Sequence, residues 1–220
     1  MLPGRRSLFM QPQTPWTGYV HNGPSLKRRV AIDVRTLDDG GLCAAVFECI
    51  GEDAERNANV LTQRFVPLLT LVPPDFSGDP RRAVRHAWNE VRCDLGLDAL
   101  VPRNAVSFAA VTVRGEMLAV ARRGHVSVSS AGPRGFRTIL HPFHATITAV
   151  NVVRGVHDRM LVLGSDLFWQ GADWYVYPRQ CLRLDSLQER CDYLRQRLLS
   201  NGLSVRSHAA VLIDLSPLRS

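Results

Sequence analysis

The alternation of apolar and polar positions changes period several times along the chain. From Arg28 to Leu37, RRVAIDVRTL has the two-residue period of a half-buried strand. Asp38-Asp39-Gly40-Gly41 reads as a turn whose glycines supply the positive φ a hairpin needs. LCAAVFECI, Leu42 to Ile50, is an apolar run short enough for a buried strand. Between Asp53 and Leu71 the period lengthens. Ala54, Ala58, Leu61, Phe65 and Leu68 recur at helical spacing, Asp53 suits the N-terminus, and Pro67 is placed to kink the last turn. Val72 to Pro80 reads as a loop. A second helix follows from Pro80 to about Leu95, with Gly96 as its stop and Ala83, Ala87, Trp88 and Val91 as its apolar stripe.

The period then returns to two. Ala105 to Leu140 divides into four short strands at Arg114-Gly115, Arg123-Gly124 and Gly132-Pro133. ATITAVNVV and RMLVLGSD add two more. Ser186 and Glu189 carry a capping-box signature, opening a helix to about Ser200 that Asn201-Gly202 ends. HAAVLIDL, from His208, is the last strand. A strand pair, two helices, a strand meander, a helix and a strand make an α+β fold with antiparallel sheet and helices layered over it.

Composition changes this picture little. The 220 residues suit one domain, placed at 18–216 behind a flexible N-terminal tail at 1–17; the tail's arginines without acids leave an organelle-transit reading open behind that one. No run approaches the roughly 18 apolar residues that span a bilayer. The cysteines (Cys43, Cys49, Cys93, Cys181, Cys191) are odd in number and lack Cys-x-x-Cys pairing, which points to a reducing, intracellular compartment, cytoplasmic or nuclear. The net charge of +7 raises nucleic acid as a partner. Its distribution speaks against that. Lys27 is the only lysine, and the arginines are scattered singly or in pairs.

Four stretches carry more specific information. AAVFECIGE keeps Val46, Phe47 and Gly51 of a Val-Phe-Asp-Gly-His-Gly-Gly strand end, with Glu48 at the aspartate, Cys49 at the first glycine and Ile50 at the histidine. MLAVARRGHVSV matches Leu-x-Val-Ala-Asn-Val-Gly-Asp-Ser-Arg at Leu118, Val120, Ala121 and Gly124, with His125 at the aspartate. LVLGSDLFWQ matches Leu-x-Ala-Ser-Asp-Gly-Leu-Trp-Asp at Leu163, Ser165, Asp166 and Trp169. Ser207-His208 stands where an Asp-Asn pair would precede the final strand. In this order the stretches resemble the protein phosphatase 2C family of metal-dependent Ser/Thr phosphatases. Arg29 and Asp33 echo the arginine and acid of its first motif. The segment between hairpin and Ser-Asp strand is shortened to His125–Asp166.

The resemblance implies a sandwich of two mostly antiparallel sheets flanked by helices, and a site for Mn or Mg. Asp33, Glu48 and Asp166 would be its carboxylate ligands, Cys49 would stand at the backbone-carbonyl position, and Arg29 would bind phosphate. Ser207 replaces an expected aspartate. Two cations need hard oxygen ligands, and each lost carboxylate leaves them under-neutralised. The expectation is therefore a catalytically inactive domain, without cofactor, that acts by binding a phosphoprotein, kinase or regulator. Two alternatives stand beside it: a weakly active Mn/Mg-dependent phosphatase, and a basic phosphopeptide- or nucleic-acid-binding module whose exposed arginines would be Arg29, Arg122 and Arg123. Locally, Asp166 caps its turn or binds a cation. Glu48 ligates or pairs with an arginine such as Arg29. Cys49 is a reactive thiol or an inert buried one. His141 and His144 form a metal pair or belong to a turn.

Overall fold

The computed structural model describes residues 14–70, 80–95, 97, 104–132, 135–140, 144–153, 159–171 and 180–219. Their strands are β1 (Trp16–His21), β2 (Arg28–Thr36), β3 (Leu42–Gly51), β4 (Asn104–Arg114), β5 (Met117–Gly124), β6 (Ser127–Gly132), β7 (Gly135–Leu140), β8 (His144–Val153), β9 (Met160–Gly164) and β10 (His208–Asp214). They form two antiparallel five-stranded sheets, ordered β2-β3-β4-β5-β8 and β1-β10-β9-β6-β7.

Side-chain alternation sorts residues between the layers. Along β3, Leu42, Ala44 and Val46 face the second sheet, with Ala109, Val111, Leu118 and Val120 of the same sheet and Leu161, Leu163, Val211 and Ile213 opposite. Cys43, Ala45, Phe47 and Cys49 face the other way, toward helices. Phe65 meets Phe47 edge-on at 5.9 Å and Phe108 at 4.7 Å, and Trp88 lies 5.6 Å from Phe108. Such pairs add to the burial of the rings themselves. The second sheet is covered on its outer face by helix residues Cys191, Leu194 and Leu198. The result is four layers, helix, sheet, sheet and helix.

The helices largely follow their periodicity. The first stretch is helical from Ala54 to Thr70 but changes pitch inside: α1 (Ala54–Val60), a π turn (Leu61–Phe65), then α2 (Val66–Thr70). Pro67 has no N–H to close the bond four residues back. The wider turn directly before it lets the helix continue. α3 (Pro80–Arg92) buries Val84, Ala87, Trp88 and Val91, so its stripe starts at Val84, with Ala83 only half-buried. α4 (Asp166–Gly171) is a short helix. α5 (Leu187–Ser200) opens on the expected capping box, Ser186 Oγ accepting from the Glu189 N–H, and ends at Gly202 with φ of 79°. The Val72–Asp79 loop, Gly96, Pro133 and His141 lie outside the described residues, as does the side chain of His144.

Two elements go beyond the periodicity. β1 starts at Trp16, inside the stretch read as a tail, and pairs along its whole length with β10. α4 begins at Asp166, where the sequence reads as a strand end.

Candidate functional site

Strand register brings four chain segments to one end of the sandwich. Arg28 at the start of β2 opposes Ile50 at the end of β3, and Gly164 at the end of β9 opposes Ala210 near the start of β10. Glu48 opposes Val30 and so points between the sheets, where it is only 2% exposed. A buried carboxylate needs partners. Arg28 supplies most of them: its Nε donates to Glu48 Oε1 at 2.6 Å, and Nη2 pairs with the same oxygen. The backbone N–H of Asp166 donates to Glu48 Oε2 at 3.3 Å. Asp166 Oδ2 stands 3.8 Å from Arg28 Nη2. The guanidinium thus lies between the two carboxylates. Burial pushes the Glu48 carboxyl above its ordinary range and the charge of Asp166 adds to this, while Arg28 and the Asp166 N–H pull it back.

Ser207 completes the end wall. Its Oγ donates to the Arg28 carbonyl at 3.1 Å and accepts from the Gly23 N–H at 3.1 Å. Ser165 joins β9 to β10 through its own N–H to the Ala209 carbonyl and the Ala209 N–H to its Oγ. Gly164 lies under α4 so closely that a β-carbon there would run into Phe168 and come within 2.8 Å of Trp169 Nε1. That indole donates to the Gly164 carbonyl at 2.9 Å. Leu167 is buried.

Of the residues singled out as ligands, Glu48 and Asp166 come together and Asp33 does not. Asp33 opposes Ala45, three residues along β2 from Val30, about 10 Å away and on the helix-facing side of the sheet. There it pairs with Arg35 at 3.1 Å. The arginine partner of Glu48 is Arg28 and not Arg29. Arg29, one residue on, points to the opposite face, donates to the Ser25 carbonyl at 2.7 Å and lies 3.7 Å from Glu55. Cys49 is wholly buried on the helix side, its thiol pushed up to about 12 by burial and the Glu48 charge. That is the inert thiol of the two readings. None of the five cysteines forms a disulfide. The hairpin arginines are not exposed as expected. Arg122 is 5% exposed, and Arg123 lies 4.7 Å over the Trp88 ring and donates to the Val106 carbonyl.

These residues do not fit a pair of divalent cations. Glu48 already has a cation at hydrogen-bond distance, the third acid is on the wrong face, and Ser207 donates its proton to a carbonyl. Among the described residues no three His, Cys, Asp or Glu side chains cluster as metal ligands. Arg28 is the site residue that the sequence hid. Its signal was strand parity: residues 28 and 30 share a face, and 30 pairs with 48.

Compared by sequence, the chain matches no family model and no curated protein. Compared by structure, it is similar to a bacterial serine phosphatase at TM-score 0.76 and 9% identity, covering 92% of this chain and 98% of that one. It is similar to the serine/threonine phosphatase Stp1 from Staphylococcus aureus at TM-score 0.72 and 11% identity, over 97% of this chain and 99% of that one. The serine/threonine phosphatase PstP/Ppp of Mycobacterium tuberculosis matches at TM-score 0.68 and 13% identity, over 90% and 97%. The two antiparallel sheets between helical layers, with the end wall built from β2, β3, β9 and β10, are therefore the protein phosphatase 2C-like fold.

Proposed function

We propose that this domain keeps the architecture of a serine/threonine phosphatase without its hydrolysis, and acts by binding a protein such as a phosphoprotein, kinase or regulator. The supporting observation is the Arg28 guanidinium between Glu48 and Asp166. It supplies positive charge where a metal-dependent phosphatase needs a cation, but a guanidinium carries no bound water to deprotonate. One charge and no water nucleophile leave phosphoester hydrolysis without its reagent. A frame kept around such a centre suits recognition. Five cysteines without a disulfide favour a reducing compartment, cytoplasmic or nuclear. No helix among the described residues is long and apolar enough to cross a membrane. The test is calorimetric titration with Mn²⁺ and Mg²⁺, with p-nitrophenyl phosphate turnover followed on the same samples and beside Asp166→Ala. The expected result is neither metal binding nor turnover. Metal-dependent turnover that disappears in Asp166→Ala would establish the weakly active phosphatase instead, with Glu48 and Asp166 as its ligands.

A further inference from the structure

A second cation at the same end of the sandwich has no counter-charge among the described residues. Arg122 opposes Ala109, which opposes Val46, so its side chain points between the sheets one pair inside the row of Glu48. It stands two strands from Glu48, about 10 Å across the sheet. Arg122 is 5% exposed, yet its Nε is buried without a partner, and its Nη1 reaches only the Gly124 carbonyl at 3.3 Å. None of its donors meets a carboxylate among the described residues. This contrasts with Arg28, Arg29, Arg35, Arg64 and Arg114, each of which has an acid within 4 Å.

A buried guanidinium without a carboxylate partner is costly, and the described residues offer no internal reason for it. Its surroundings suit an anion. Ser107 Oγ, in the row of Glu48, whose carboxylate Arg28 neutralises, accepts the His125 N–H at 3.3 Å and keeps its own proton free to donate. His125 is exposed beside it. No acid lies between residues 117 and 132 of the hairpin strands. The resembled hairpin would have Asn at 122 and Asp at 125, so both departures in this chain add positive charge or remove negative charge.

We propose that Arg122, with Ser107 and His125, forms a binding site for a phosphoryl dianion, adjoining the Arg28–Glu48–Asp166 centre through Ser107, the cross-strand neighbour of Glu48. A guanidinium edge with two unengaged donors matches two phosphate oxygens, and a serine hydroxyl fits a third. The site requires neither hydrolysis nor its absence, so it stands independently of the function proposed above. The same chemistry is presented by free phosphate and by a phosphorylated side chain.

Thermal melts of the full chain test the assignment, in phosphate, in a capped phosphoserine peptide, and in chloride at matched ionic strength, for wild type and Arg122→Met. At ten times its dissociation constant, phosphate should raise the wild-type Tm by about 3–6 °C over chloride. Arg122→Met should show only the smaller, non-saturating rise of an excluded salt. A response to the phosphoserine peptide at lower concentration assigns the site to phosphorylated side chains, and a response to phosphate alone assigns it to the free anion. Equal responses from wild type and variant overturn the site. Should Arg122→Met give no cooperative melt, Arg122→Gln carries the same comparison. Broadening of the phosphate ³¹P resonance by wild-type protein provides a check without any variant, and its absence at saturating protein overturns the proposal.

Discussion

Arg28 joins two roles that are usually separate. Its side chain neutralises Glu48, and its carbonyl accepts from Ser207, so one residue fixes both walls of the site. Arg28→Ala would leave the Glu48 carboxylate buried and unpaired beside Asp166, costing about 2–3 kcal/mol, less than for a fully buried pair because Arg28 is partly exposed. The same change frees two carboxylates to share a cation. Calorimetry should therefore detect Mn²⁺ binding in Arg28→Ala that is absent from wild type and from Arg28→Ala/Asp166→Asn. No gain of binding would show that the guanidinium is not what excludes metal. A second residue answers to pH. His208 is fully buried, its Nδ1 3.1 Å from the Tyr19 hydroxyl and its ring stacked 4.9 Å from His21. Burial, with the His21 and Arg195 charges, holds it down to about 4. The unfolded chain takes up this proton near pH 6.5 and the folded chain only near 4, so its stabilising effect is complete above 6.5 and fades as pH falls to 4. The loss is about 2–3 kcal/mol. Urea melts between pH 7 and 4 should show that slope in wild type and a shallower one in His208→Gln. The carboxylates Glu48 and Asp166 could be read from the chain because one interrupts an apolar run and the other follows one closely. Arg28 could not, since its role depends on which residues face each other across β2 and β3.

Most elements follow from periodicity because each buries one face and exposes the other. α5 is the clearest case, since its start rests on a local exchange of hydrogen bonds. Ser186→Ala should lower Tm by about 2–4 °C, the loss of one cap of roughly 1 kcal/mol, without altering the site end. α4 is the opposite case. Its six residues are too few to show a period, and it forms because Ser165, Phe168 and Trp169 fold back over Gly164. Gly164→Ala would place a methyl against the Phe168 ring and should destabilise the domain by about 1–3 kcal/mol. Near-ultraviolet circular dichroism, reporting Trp169, should change with it. An unperturbed spectrum and melt would mean that α4 adjusts freely. Pro67 marks a third limit. That Pro67 would disturb the helix was an expectation of the sequence, but the π turn before it was not, because a pitch change leaves the apolar spacing nearly intact.

At the scale of the molecule, the two sheets are tied at the site end by the crossing from β1 to β2. β2 is the outer strand of its sheet, and its outward backbone groups would lack partners. Asn22 meets one such pair: its Oδ1 accepts from the Val30 N–H at 2.9 Å and its Nδ2 donates to the Val30 carbonyl at 3.2 Å. The side chain thereby acts as a one-residue strand. Beside it Gly23 packs against the Val205 carbonyl so tightly that a side chain would not fit, and its N–H bonds Ser207. Since Val30 is buried, removing the amide leaves two polar groups without partners or opens them to water, at about 1–3 kcal/mol. The consequence should be local before it is global. In Asn22→Ala, hydrogen exchange at the Val30 amide should accelerate at least tenfold. The Ala31 amide, which faces β3 by the alternation of the ladder, should lose protection only as far as global stability falls. Arg28 lies two residues from Val30, so the Arg28–Glu48 pair should loosen with it, and Mn²⁺ binding should begin to appear as in Arg28→Ala. Exchange at Val30 and Ala31 accelerating together would instead mean that the sheets open as one unit, and that the crossing carries no separate load.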